Sequence, residues 1–176
     1  MTKIKPILVI SSCLLGEPVR YDGRSKEYDL LTELKKYNFE FYSICPEYGG
    51  GLGVPRETIE LVKVGDRIDI MTTDTRVDRT DAIRTFCQRE IEHLNNLYPS
   101  GFILKARSPS CGIAELPLFN YEKQPIATKF NGIFAHMVMK KFPGTPIASE
   151  EDLKNKNNLD LFVKAVYLYH KTFDYV

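Results

Sequence analysis

No apolar run in this sequence approaches the ~18 consecutive residues that a membrane-spanning helix requires. There is no excess of one charge either. Lys plus Arg number 24 and Asp plus Glu 23, a formal net charge of +1, and no basic patch marks a nucleic-acid duplex as partner. The four cysteines include no C-x-x-C pair, the usual mark of a structural zinc site. Histidine is scarce. Of the three, His93 and His136 fall inside predicted helices and His170 near the chain end, so all three read as surface or satisfied-core side chains. Internal repeats, low-complexity tracts and convincing linkers are missing, and residues 1–176 are expected to form one domain. The apolar core of the N-terminal MTKIKPILVISSC, about seven residues, is too short for a secretory signal and runs straight into a loop. A cytoplasmic protein is therefore expected. Thiols stay reduced in that compartment, so metal or catalytic roles for cysteine outrank disulfides.

What is present suffices for a buried core: 43% of residues are hydrophobic and 27% charged. PILVIS (6–11), FEFYSI (39–44), GFILKA (101–106) and TPIAS (145–149) read as short strands. IELVKVGDRIDIMTT alternates around Gly65-Asp66 as a hairpin does. Helical spacing runs from 26 to 37 through Tyr28, Leu30, Leu31, Leu34 and Tyr37. A longer helix, capped by Asp78 or Thr80, carries Ile83, Phe86, Cys87, Ile91, Leu94 and Leu97 on one stripe. A third helix is expected over 130–142. A fourth is expected near 150–172, begun by Ser149 with Asp152 three positions on and interrupted at KNKNN. Strands alternating with helices predict an α/β fold: a mostly parallel four-stranded sheet with flanking helices in Rossmann-like or flavodoxin-like layers, plus a β-hairpin insertion.

Three cysteines fall just after predicted strands: Cys13 in SSCLLG, Cys45 in ICPE and Cys111 in ARSPSCG. Ligands bind outside the carboxyl ends of the strands in open parallel sheets, so these thiols can meet despite their separation in sequence. Cys87 sits on the apolar helical stripe and reads as a small buried hydrophobe. Four readings of the converging thiols stand side by side. They can be unrelated core cysteines. They can hold zinc, although pairs and a clear histidine are lacking. They can hold an iron–sulfur cluster, in which three thiolates leave one iron open. Or one can be a nucleophile of the small-phosphatase kind. That motif asks for five residues between Cys and Arg, and six separate Cys13 from Arg20.

The segments SSCLLGEPVRYDG, CPEYGGGLGVPRETIEL and LKARSPSCG occur in that order. Together they resemble a bacterial family long catalogued as a domain of unknown function and associated with thiouracil desulfurase, here in a short form without the extra C-terminal domain of longer members. The resemblance runs from about residue 10 to residue 111. It implies a 4Fe-4S cluster held by Cys13, Cys45 and Cys111, with the fourth iron free to bind the sulfur of a thiocarbonyl substrate such as 2-thiouracil. It further implies that sulfur leaves without redox turnover while water supplies oxygen. The carboxylate and hydroxyl implicated in the family map onto Glu47 and Ser108.

Chemistry gives those residues work. A C=S carbon is a poor electrophile for water until a soft Lewis acid draws density from its sulfur. A base must then deprotonate the water. Glu47, two residues past Cys45, is in reach, and a dry site raises a carboxyl pKa; its blander role is an ion pair with Arg56. Ser108 or Ser110 can relay a proton, or simply bond its own backbone beside Pro109. Gly49, Gly50, Gly51 and Gly53 leave backbone N–H groups unobstructed. The expected substrate-binding set is Gly50, Gly51, Arg56 and Ser110. Arg20 and Arg56 can stabilise developing charge or pair with Asp22 or Glu57. The partners expected are a small thiolated substrate and a sulfur acceptor. The competing class is a non-catalytic iron–sulfur or zinc-binding protein in sulfur handling.

Overall fold

The structure, a computed structural model, describes residues 5–26 and 30–175. In chain order the elements are β1 (Ile7–Ser11), α1 (Leu30–Leu34), β2 (Glu40–Ile44), α2 (Pro46–Gly49), β3 (Ile59–Val64), β4 (Arg67–Thr72), α3 (Thr80–Asn95), β5 (Gly101–Leu104), β6 (Leu116–Phe119), β7 (Pro125–Phe130), α4 (Ile133–Lys141), β8 (Ile147–Ser149) and α5 (Lys156–His170). Short 3-10 segments cover Ser12–Leu15, Asp152–Lys154 and Lys171–Tyr175. Among the described residues no helix is long and apolar enough to cross a membrane. The start of the helix expected over 26–37 lies partly outside the described residues.

The first sheet has the order β2-β1-β5-β8, and every pairing in it is parallel. Its central strands are apolar but for Ser11 at the end of β1, because both faces are covered. Side-chain alternation sends Val9, Phe102 and Leu104 into one core, shared with Ile83 and Cys87 of α3 and Phe134 and Val138 of α4. Leu8, Ile10 and Ile103 enter a second core with Phe162, Val163 and Val166 of α5. The predicted α/β layering is present.

The hairpin β3–β4 is more than an insertion. β3 also pairs in parallel with β6, and β6 pairs antiparallel with β7, giving a second sheet ordered β4-β3-β6-β7. Sequence periodicity missed β6 and β7. β6 has four residues with Pro117 among them, and β7 is a largely exposed edge strand that offers no apolar face to detect. Phe130 consequently ends a strand, and α4 starts at Ile133. Asp78, not Thr80, serves the start of α3: its Oδ1 accepts the Thr80 N–H at 2.8 Å. The Thr80 hydroxyl instead accepts the Ile70 N–H of β4. Ser149 and Asp152 form the reciprocal capping pair read from the sequence. The KNKNN interruption is a second cap, in which Asn155 Oδ1 accepts from the N–H groups of Asn157 and Asn158.

The start of α4 is docked on the loop that carries Cys111. Ile133 and Phe134 donate their N–H groups to the carbonyls of Pro109 and Ser110, so groups left unpaired at a helix start fix residues 109 and 110. Gly132 makes the approach possible. A Cβ there would stand 2.4 Å from the Ser110 carbonyl carbon and 2.7 Å from the Cys111 nitrogen. Gly132→Ala is expected to destabilise the protein by ~1–3 kcal/mol, the cost of overpacking. Thermal melts check this; an unchanged melt would show that the loop yields freely.

Candidate active site at the carboxyl edge of the parallel sheet

β2, β1 and β5 are neighbours in the sheet, so their carboxyl ends line one rim. Cys13 leaves β1 in the turn Ser12–Leu15, and Cys45 follows β2 directly as the residue before α2. Cys111 lies in the tight turn after β5, where Ser108 O accepts the N–H groups of Cys111 and Gly112 at 3.1 and 2.7 Å. All three are free thiols. Cys13 and Cys111 line a cavity of about 520 Å³ together with Glu47, Arg56, Ser108 and Lys105.

Burial dominates the thiols' acidity. It pushes Cys13 up to about 12, and the nearby Cys45 sulfur adds to the rise. Cys45 is raised by burial, opposed by N–H donors from Tyr48 and Glu47. Cys111 lies well above the ordinary range through burial, with the Ser11 and Ser110 hydroxyls pulling the other way and Cys45 adding repulsion. Thiols whose burial resists ionisation are poor nucleophiles, which weighs against the phosphatase-like reading. They ionise readily only beside a positive centre. Among the described residues no three His, Cys, Asp or Glu side chains converge as a single metal ion needs. An iron–sulfur cluster would be held differently, by cysteine thiolates each on its own iron atom. The donor set is all sulfur, with Cys13 and Cys111 buried at the cavity and Cys45 half-buried and not among the residues that line it, and its chemistry fits such a group.

Glu47 and Arg56 form a buried ion pair, with side chains 13% and 6% exposed. Arg56 grips Glu47 Oε2 through Nε at 3.0 Å and Nη2 at 2.7 Å. Its Nη1 ties down the carbonyls of Val19 and Gly53. Four of its five N–H groups are thus engaged with the protein. Glu47 Oε1 accepts the hydroxyls of Ser108 at 3.1 Å and Ser110 at 3.0 Å. Ser110 also lies 3.8 Å from Cys111 Sγ. Ser108 forms cavity wall, whereas Ser110 is buried behind it.

The glycines fall elsewhere. Gly49 and Gly50 are pressed against α3: a Cβ on Gly49 would meet the Phe86 ring at 2.1 Å, and one on Gly50 would meet Pro46 O at 2.7 Å and Ala82 O at 3.3 Å. Gly51, at φ +83°, and Gly53, at +73°, turn the chain where other residues rarely can. Gly50 and Gly51, expected at the substrate, are not among the residues lining the cavity; helix packing and turn geometry account for them. Arg20 pairs weakly with Asp22 at 3.4 Å, and Arg56 pairs with Glu47 rather than Glu57.

Sequence reasoning missed Lys105, Glu150 and Ser11. Lys105 lines the cavity and pairs with the buried Glu150, and its backbone N–H reaches Ser11 Oγ at 2.9 Å. The available signal was a lysine closing the otherwise apolar strand GFIL.

A family model for 2-thiouracil desulfurase matches residues 8–151, a span that includes every one of these side chains. The chain belongs to the 2-thiouracil desulfurase family. It is also similar to a solved structure, the 4Fe-4S-dependent thiouracil desulfidase TudS. The TM-score is 0.69 and the identity 28%, covering 89% of this chain and 99% of TudS. A curated relative, the uncharacterized protein YbbK of Bacillus subtilis (strain 168), is 27% identical over 158 residues, 85% of this chain and 99% of YbbK. The family assignment and the likeness to TudS agree with the fold described above.

Cys87 stands apart from the cavity, fully buried on α3, and burial pushes its thiol up to about 12 from an ordinary 9.0. The unfolded chain loses this proton near pH 9 while the folded protein keeps it. Stability is unaffected below pH 9 and falls as pH rises toward 12, by up to ~4 kcal/mol from this group. Cys87→Ala is expected to flatten the alkaline limb of a stability-against-pH curve measured by urea unfolding. An unchanged slope would mean that Cys87 ionises freely in the folded protein.

Proposed function

We propose that this protein is a 4Fe-4S-dependent desulfurase that converts a thiocarbonyl compound such as 2-thiouracil into the corresponding carbonyl compound. In the reaction a C=S group and water give a C=O group and hydrogen sulfide, with no net transfer of electrons. Cys13, Cys45 and Cys111 would hold the cluster. When bound, it supplies a Lewis-acid iron matched to a soft sulfur.

The remaining steps belong to the chain. Ser108, at the cavity wall, passes its proton to Glu47 as it takes one from the attacking water. Arg56 keeps the carboxylate in place through two hydrogen bonds to one oxygen, leaving the other directed at the serines. Ser110 positions that oxygen and contacts Cys111. The apolar part of the wall, including Ile59, Leu61 and Leu116, suits a flat heterocycle and limits water to the polar side.

The observation that supports this reading best is the hydrogen bond between Ser108 and Glu47 beside the thiol-lined cavity. Anaerobic reconstitution with iron and sulfide is expected to give a brown protein with broad absorption near ~400 nm. That protein, incubated with 2-thiouracil, is expected to release uracil and sulfide in equal amounts. A brown protein that yields no uracil would point to a binding role, and a colourless one would remove the cluster from the account.

A further inference from the structure

Lys105 follows the last residue of β5 and carries an ammonium group into the interior. Its side chain is 12% exposed and that of its partner Glu150 1%. Glu150 holds it from a fixed position: Oε1 accepts from Lys105 Nζ, while Oε2 takes the Ala106 N–H at 2.6 Å. A second ammonium proton goes to the Ala106 carbonyl at 2.9 Å. An ammonium group has three protons. Among the described residues one is left over, and the residue that bears it lines the cavity. Its charge is close enough to act on the Cys13 sulfur.

A buried ion pair is weak support for stability, because apolar residues of similar volume often do as well. A pair with a spare donor at the wall of a reaction cavity has another use. Ser108 and Glu47 serve the attacking water, and neither addresses the rest of the substrate.

We propose that Lys105 donates its third N–H to a carbonyl oxygen of the substrate, selecting thiocarbonyl compounds that also carry an oxo group, with Glu150 positioning the ammonium. The inference rests on the desulfurase reading and adds a specificity determinant to it. A hydrogen bond from a fixed cation also draws electron density from the ring as water attacks, which favours the transition state.

Lys105→Met alone strands the Glu150 charge in the interior and is expected to destabilise the fold. The test therefore uses Lys105→Met combined with Glu150→Gln, in which the glutamine oxygen still accepts the Ala106 N–H. A matching melting temperature establishes that this variant is folded. The first measurement needs no cluster: uracil is titrated calorimetrically into the cluster-free proteins. The double variant is expected to bind uracil ~10- to 100-fold more weakly than the wild type, the range for losing a hydrogen bond to a charged group. An equal Kd, or a wild type that does not bind uracil, overturns the proposal. Glu150→Gln alone keeps the ammonium but loosens it, so an intermediate Kd is expected; a wild-type Kd removes the positioning role of Glu150.

The second measurement uses reconstituted proteins and two substrates, 2-thiouracil and 2-thiopyrimidine, which keeps the C=S group and lacks the oxo group. The ratio of their kcat/KM values is expected to be ~10-fold or more higher in the wild type than in the double variant. Equal ratios overturn the role of Lys105 and leave the desulfurase reading intact. Sulfide from neither substrate with wild-type protein overturns the desulfurase reading instead, and the uracil titration then decides on Lys105 by itself.

Discussion

Serine at position 13, 45 or 111 is expected to yield a protein that stays folded and takes up almost no iron on anaerobic reconstitution. Serine offers a hard, weakly acidic oxygen in place of a soft thiolate, and three donors leave no spare ligand to compensate. Loss of one is expected to weaken metal binding by at least ~100-fold, the upper end of what even an outer-shell change costs. Cys87→Ser is the internal control. Its sulfur packs among Ile83, Ile91 and Leu94 in the core beneath the sheet, so this variant is expected to keep the iron and the brown colour while losing some stability. Iron content, absorption spectrum and melting temperature on the same four samples separate ligand loss from unfolding. Equal iron loss in all four would dissolve the ligand assignment. Full iron binding by the Cys45 variant would turn attention to a ligand other than cysteine at the β2 corner.

Glu47→Gln is expected to keep the iron and lose turnover by ~10²–10⁴-fold, the usual contribution of a positioned base. Glutamine is the informative replacement. Alanine would leave the Arg56 guanidinium, 6% exposed, as an unpaired buried charge, with an expected loss of ~3–5 kcal/mol that would blur the kinetics. Glutamine preserves the size of the group and keeps one acceptor oxygen for the Arg56 N–H groups, while its NH2 turns to the serines and denies them a proton acceptor, so a fall in kcat with bound iron unchanged isolates the proton-transfer role. Ser108→Ala is expected to lose activity in the same direction, and Ser110→Ala less, because Ser108 forms cavity wall and Ser110 stands behind it. Wild-type turnover in Glu47→Gln would reduce the Glu47–Arg56 pair to a brace between α2 and the loop before β3.

The sheet was legible because β1, β2 and β5 are short apolar runs that stop at polar loops, and a strand buried on both faces leaves that pattern. The positions of Cys13, Cys45 and Cys111 were legible for the same reason: each follows such a run. β6 and β7 were not, since an exposed edge strand such as PIATKF has no face that must be apolar. The glycines of CPEYGGGLG misled in an instructive way. Glycine lets backbone approach anything closely, and sequence does not say what. Here Gly49 and Gly50 admit the Phe86 ring and the backbone of α3. The Lys105–Glu150 pair joins residues 45 positions apart, and a one-chain reading has no period or motif that connects them. Arg56 illustrates the middle case. Its pairing with Glu47 was foreseeable from the spacing, but its grip on Val19 O and Gly53 O depends on how two loops close over each other.

The placement of Cys111 late in the chain has a consequence for biogenesis. On the proposed ligand set, a nascent polypeptide emerging from the ribosome offers only two of its three thiols until the strand β5 and the turn beyond it have been made. That turn is itself seated only when α4 arrives to receive it. Delivery of iron and sulfide must then wait for a chain synthesised past residue 134. On that ligand set the metal would meet a prefolded receptor rather than an unstructured chain.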